Sequence, residues 1–334
     1  MATTAAGIQQ IEETRPLLSR EQQEDSTATA RHLRSLGTTG LFVMLLSSFA
    51  HSCASVAVKW SSSTFPSFEI VFARSLFQTL LGLVGCLWVR ANPLGPPGVR
   101  RWIVFSGLLG TLGAACLYYS LSNLPLAETT IVIYLYPTLT AIMAALFLGE
   151  PFGWWDTLSA TLCMVGAVLV FKPYILFGSS SSKKQPSNDG SNNTAIAALT
   201  AILCVFFASS AYTAVRKVGT RTHFFSLTFV TGCFLCLVSL LVALFGFQAF
   251  VFPHDLKSWM KFISIGIASS AQQCLANLGV QLAPAGSATL MCMNDIIFAF
   301  IFGILLFDEY PDAISIIGAI LIIVMTSSVV AINK

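Results

Sequence analysis

The chain has 334 residues, of which 55% are hydrophobic and 10% charged, with a formal net charge of +3 and a mean hydropathy of +0.76. A soluble domain carries roughly 25% charged residues, and the apolar runs here repeatedly exceed the roughly 18 residues that mark a membrane-crossing helix. The composition excludes a water-soluble globular class, and so small a net charge gives no reason to expect nucleic acid as a partner.

Residues 1–37 are polar and read as a disordered cytosolic tail, with no cleavable signal peptide expected at this end. Within it, Glu13-Thr-Arg-Pro-Leu17-Leu18 fits the acidic dileucine pattern. That pattern makes an adaptor complex an expected partner of the tail. It favours an endosomal, lysosomal or vacuolar membrane over the plasma membrane, Golgi or ER.

Ten spans follow, at about 38–58, 67–89, 102–123, 126–148, 153–172, 195–215, 224–247, 258–281, 286–307 and 311–332. At 1.5 Å of rise per residue each crosses a ~30 Å hydrocarbon layer, with tilt as needed. The longest connection, residues 174–193, is rich in Ser, Lys, Asn and Gly and reads as a linker. It divides the chain into five-span units at 38–173 and 194–334.

The two units carry the same stretch twice. Leu117 to Glu150 and Ala276 to Glu309 align so that Glu150 meets Glu309, Ala127 meets Gly286, Tyr136 meets Asp295 and Ser159 meets Gly318. Each copy leads through a short Pro-containing turn into about 20 apolar residues. Because five is odd, successive units enter the membrane from opposite sides, and the repeats are inverted.

Placement of Lys and Arg sets the orientation. With the termini in the cytosol, that face holds Arg15, Arg20, Arg31, Arg34, Arg90, Arg100, Arg101, Arg216, Lys217, Arg221 and Lys334. The opposite face holds Lys59, Lys172, Lys183, Lys184, Lys257 and Lys261. Lys59 and the Arg216-Lys217 pair end the first span of each unit and are expected to anchor helix ends by snorkelling. The sequon Asn192-Asn-Thr194 falls on the lumenal side, close to span six. All nine cysteines fall within predicted spans, which reads as buried packing; no metal or cofactor is expected.

Polar groups within a bilayer are costly and normally face a cavity or a partner. Arg74 lies roughly 10 Å from the lumenal end of span two, and Asn294 and Asp295 about 13 Å from the cytosolic end of span nine, by helical rise. His51 in span one, Tyr134 and Tyr136 in span four, and Gln272 and Gln273 in span eight share that middle layer. Arg74, Tyr134, Tyr136, Gln272, Gln273, Asn294 and Asp295 are therefore candidate substrate-binding residues, and His51 and Asp295 candidates for coupling. Each has a structural alternative: Arg74 and Asp295 as mutual counter-ions, the tyrosines as packing, the glutamines as interhelical hydrogen-bond donors. Pro137 is expected to kink span four. Gly107, Gly110 and Gly113 permit close packing or sliding of span three.

Three runs carry a family resemblance: ARSLFQ around Arg74, LYYSLSNLPLAETTIVIYLYPTLTAIMAALFLGEP, and NDIIFAFIFGILLFDE. Over residues 38–332 the chain resembles EamA-type repeats of the drug/metabolite transporter superfamily, and among them the G group of the solute-carrier-35 family. The resemblance implies an all-α integral membrane fold of ten helices in two inverted repeats. It implies charge kept within spans at Arg74 and Asp295; no arginine in span seven matches Arg74.

The expected function is secondary active transport of a small polar, anionic metabolite by alternating access, with proton coupling. The alternatives are a non-transporting membrane interaction protein with a transporter-like fold, and a nucleotide-sugar transporter. An enzyme is not expected, because no HExxH, paired acidic motif or nucleophile–base pair is present.

Overall fold

The computed structural model describes residues 35–61, 67–124, 126–150, 153–171, 191–244, 255–307 and 311–332. Among them no strand occurs, and the chain is an all-α bundle. The first unit comprises α1 (Ser35–Ser61), α2 (Ser67–Trp88), α3 (Arg100–Asn123), α4 (Leu126–Ile133), α5 (Tyr136–Leu148) and α6 (Trp154–Phe171). The second comprises α7 (Ser191–Val218), α8 (Phe224–Leu244), α9 (Leu256–Leu282), α10 (Ala285–Met291), α11 (Asp295–Phe307) and α12 (Ala313–Ile332). Helices α4 and α5 together make span four, and α10 and α11 span nine. The acidic dileucine at Glu13, Leu17 and Leu18 lies outside the described residues.

Nine crossings among the described residues are long and apolar enough to span a bilayer by themselves. The tenth, α9, has 27 residues, about 40 Å at helical rise. Its polar side chains (Gln272, Gln273, Asn277 and Gln281) lower its hydropathy because they face inward: Asn277 is 2% exposed and Gln281 5%. Leu146, Phe147, Leu305 and Ile317 lie on the outside instead, as a hydrocarbon solvent requires.

The two units interlock at small residues, where backbones approach closely. Helix α2 crosses α8 with Gly82 against Phe229 and Gly232 against Thr79. Helix α6 crosses α12 at Gly166 and Gly318, where a β-carbon on either would sit 2.6–2.8 Å from the other's carbonyl oxygen. In the span-three glycine series the structure favours packing. Gly107 is tight against Val230 and Phe234 of α8, and Gly110 and Gly113 are at ordinary contact distance.

Both long spans break at equivalent positions. Helix α4 ends at Ile133, and α5 restarts at Tyr136 with Pro137 in its first turn, as proline predicts. Span nine passes through a 3₁₀ turn, Cys292–Asn294, before α11 begins at Asp295. No proline marks that second break. Asn294 holds it: its Nδ2 donates to the Met291 carbonyl at 2.9 Å, and its Oδ1 accepts from Thr326 Oγ1 at 3.2 Å. A carbonyl left without its helical donor is thus satisfied by a side chain. The repeat alignment pairs Tyr136 with Asp295, so the breaks coincide under the internal symmetry.

At the ends of the first spans the two lysines stay exposed, and only Arg216 departs from the snorkelling expectation. Lys59 lies 3.8 Å above the Phe307 ring and Lys217 4.2 Å above the Trp102 ring. Arg216 turns inward and pairs with Glu150 at 2.5 Å.

Candidate functional site

At the level of the two breaks, between the repeats, lies a cavity of about 370 Å³. Helix α1 contributes Ser47, Ser48 and His51; α2, Arg74 and Gln78; α7, Tyr212; α9, Gln272, Gln273 and Asn277. The breaks contribute Tyr134, Tyr136, Cys292 and Asp295. Interrupting a helix frees backbone groups, which a membrane interior tolerates only where protein or a polar cavity satisfies them. Helix α1 does this for span nine. Ser48 Oγ donates to the Met291 carbonyl at 3.0 Å and Ser52 Oγ to the Asp295 carbonyl at 2.9 Å.

Asp295 begins α11 with its carboxylate turned to the cavity. Tyr134 OH donates to its Oδ1 at 2.8 Å, and His51 Nε2 lies 3.8 Å from its Oδ2. This acid–tyrosine contact joins the two breaks across the repeat boundary. The Tyr134 ring stacks on Phe171 with centroids 5.9 Å apart, and Tyr136 stacks on Tyr212 at 5.6 Å. Each tyrosine therefore has both a packing partner and a place on the cavity wall.

Arg74 stands apart. Its Nε is buried with no hydrogen-bond partner, and among the described residues it joins no ion pair. The mutual Arg74–Asp295 pair raised by the sequence does not form in this conformation. Arg74 lines the same cavity as His51 and Asp295. Gln78, one turn along α2, donates from Nε2 to the Thr228 carbonyl at 3.4 Å, leaving its Oε1 unpartnered. Gln273 Nε2 donates to Asn277 Oδ1 at 3.4 Å, and Asn277 Nδ2 to Thr228 Oγ1 at 3.0 Å.

Arg74, Tyr134, Tyr136, Gln272, Gln273, Asp295 and His51 thus line one cavity, drawn from five spans. Asn294 does not: it is 6% exposed and spends its amide on Met291 and Thr326. One helix position separates it from Asp295, which turns its side chain by roughly 100° and takes it to the far side of the break. Sequence reasoning missed Gln78, Tyr212 and the α1 serines. The serines had a signal, since Ser47, Ser48, His51, Ser52 and Ser55 recur at helical spacing along one apolar span. Gln78 lies one turn beyond Arg74 on the same face.

Among the described residues no group of three His, Cys, Asp or Glu side chains is placed to hold a metal. What the cavity offers is an unpaired guanidinium, a tyrosine-held carboxylate, amide groups and three tyrosine rings. Groups of these kinds can bind polar molecules by charge and hydrogen bonds.

A model of the EamA-like transporter family matches residues 38–172 and 195–330. Human solute carrier family 35 member G1 is 29% identical over 284 residues, 85% of this chain and 76% of that protein. The pseudopaline exporter CntI of Pseudomonas aeruginosa is 29% identical over 290 residues, covering 86% of this chain and 94% of that one. One solved crystal structure shares the fold with a TM-score of 0.71 at 17% identity, over 89% of this chain and 99% of that chain. Family and relatives indicate membrane transport rather than enzymatic catalysis. The chain is a multi-pass membrane protein and belongs to the EamA-like transporter family.

Proposed function

We propose that the protein is a secondary active transporter that carries a small polar, anionic metabolite through the central cavity by alternating access. The observation that carries this reading is Arg74, a cavity-lining arginine whose Nε is buried without a partner. A charge at that depth costs roughly 2.5–3.5 kcal/mol on insertion scales. A protein retains such a group when a ligand completes it, and a carboxylate or phosphate matches the guanidinium fork. The cavity volume of about 370 Å³ falls at the lower end of the ~300–1,000 Å³ range for small-molecule sites, which suits a compact metabolite better than a nucleotide sugar. A relative named as an exporter supports the transport reading.

In this reading Arg74 binds the anion, with Gln272, Gln273, Tyr134 and Tyr136 orienting the remainder. Asp295 and His51, 3.8 Å apart, handle a coupled proton in this reading, either through one bridging water or after a small approach of the two groups, since direct transfer needs roughly 2.6–3.2 Å. The acidic dileucine is proposed to recruit a cytosolic adaptor and route the protein to an endosomal, lysosomal or vacuolar membrane.

Uptake by purified protein in liposomes, across a panel of organic anions, zwitterions and neutral solutes with and without a pH gradient, tests this. The expected result is saturable uptake of an organic anion that an imposed pH gradient accelerates. Transport of neutral solutes alone would overturn the assignment of Arg74.

A further inference from the structure

We infer that Glu150 and Arg216 form a latch that seals the basic end of the bundle and must open in each transport cycle. The inference rests on the transport reading. Glu150 follows α5, beyond Gly149, whose φ of 69° ends the helix in a left-handed turn. Its carboxylate reaches into the second repeat with both oxygens. Oε1 accepts from Arg216 Nε at 2.5 Å, and Oε2 accepts from the backbone N–H of Ala285, the first residue of α10, at 2.9 Å.

Arg216 Nη1 in turn donates to the Gln281 carbonyl at 2.9 Å. Gln281 Nε2 donates to the Gly219 and Thr222 carbonyls at 2.8 and 3.1 Å. One connected network thus ties the end of α5, in the first repeat, to the ends of α7, α9 and α10 in the second. The side chains of Arg216 and Glu150 are only 24% and 16% exposed, where charge-assisted hydrogen bonds are strong.

The internal symmetry shows what the latch closes. Beside it, α5 packs on α10 with Gly286 against Ala141. The repeat alignment carries α5 onto α11 and α10 onto α4, so the equivalent seam at the opposite end is α11 against α4. Among the described residues those two helices make at most a glancing contact. Among the described residues the same seam is closely packed at one end of the cavity and makes little contact at the other. Alternating access exchanges these two arrangements, and separating α5 from α10 and α7 breaks both bonds to Glu150. The latch therefore biases the protein toward the state sealed at the basic face, which the Lys/Arg distribution assigns to the cytosol.

The native Cys292, which lines the cavity, reports on the seal. Vesicles of either orientation are exposed to a membrane-impermeant thiol reagent, and modification of Cys292 is read by mass spectrometry. In the native protein labelling is expected from the face opposite the latch and protection from the basic face. Glu150→Gln and Arg216→Gln should each raise labelling from the basic face about tenfold, the effect of losing a charged hydrogen bond from one side of an equilibrium. The double variant should add nothing further, because the two groups act as one. Where Glu150→Gln fails to fold, Arg216→Lys, which keeps the charge but not the fork, should raise labelling in the same direction. Unchanged basic-face labelling in monodisperse variants would overturn the latch. The assay uses no substrate, so raised labelling in a chain that transports nothing would sink the transport reading and leave the latch standing.

Discussion

A close seam between the repeats lies where α10 meets α5, and it yields a quantitative prediction. A β-carbon placed on Gly286 would lie 2.6 Å from the Ala141 β-carbon and 3.0 Å from its α-carbon. Carbon atoms pack at roughly 3.5–4.0 Å, so Gly286→Ala forces the helices apart by about 1 Å. Overpacking of this kind costs roughly 1–3 kcal/mol. Alanine in a helix recovers up to about 1 kcal/mol relative to glycine, leaving a net destabilisation of about 0–2 kcal/mol. Gly286→Val adds two methyl groups to the same gap with little helix-propensity gain, so its cost exceeds that of alanine. Ala141→Gly removes the opposing methyl and should restore part of the loss when combined with Gly286→Ala. Thermal unfolding of the purified protein in detergent measures the series. The expected order of melting temperature is native, then the Gly286→Ala/Ala141→Gly pair, then Gly286→Ala, then Gly286→Val. A Gly286→Val protein that melts with the native one, or a pair that melts below Gly286→Ala, would refute the seam.

Three further outcomes follow from other parts of the molecule. Thr326→Val removes the donor to Asn294 Oδ1 and leaves a buried amide oxygen unpaired, which costs about 1–3 kcal/mol; the melting temperature should fall, with the concentration dependence of uptake unchanged. Leu17→Ala with Leu18→Ala should move a fluorescently tagged protein toward the plasma membrane in cells, and unchanged imaging would show the motif to be inert. A cysteine placed at Gly98 should react with an impermeant reagent only from the face of the N-terminal tail, and one at Ser181 only from the opposite face; the reverse pattern would invert the topology.

Much of the fold is legible in the sequence because a hydrocarbon solvent leaves few choices. Apolar length fixes the crossings, and the repeat from Leu117 to Glu150 and from Ala276 to Glu309 fixes the inverted arrangement. The candidate site is legible for a related reason. Ionisable and amide groups at mid-depth have nowhere to go but inward, which brings Arg74, Asp295, His51, Gln272 and Gln273 to one cavity.

Less legible are features set by direction around a helix or by pairing across the bundle. Asn294 and Asp295 are neighbours in sequence, yet one props the break and the other faces the cavity. The break in span four is announced by Pro137, whereas its partner in span nine depends on Asn294 meeting Thr326, 32 residues away. Arg216 sits at a helix end, where lysine and arginine normally reach for the interface. Its inward turn depends on Glu150, 66 residues earlier in the chain, and local sequence carries no trace of that pairing.

The most direct test of the central claim is uptake by Arg74→Gln in liposomes, alone and combined with Asp295→Asn, beside the native protein. If the Arg74 guanidinium holds an anionic substrate, its loss removes at least one charged hydrogen bond, about 1.5–3 kcal/mol. At about 1.4 kcal/mol per factor of ten, uptake at low substrate concentration should fall roughly 10- to 100-fold. The variant should fold at least as well as the native chain, since no partner in the protein is lost. Adding Asp295→Asn should not restore uptake. A double variant with native uptake would contradict the account and leave Arg74 and Asp295 as structural charges in a transporter whose substrate binds elsewhere.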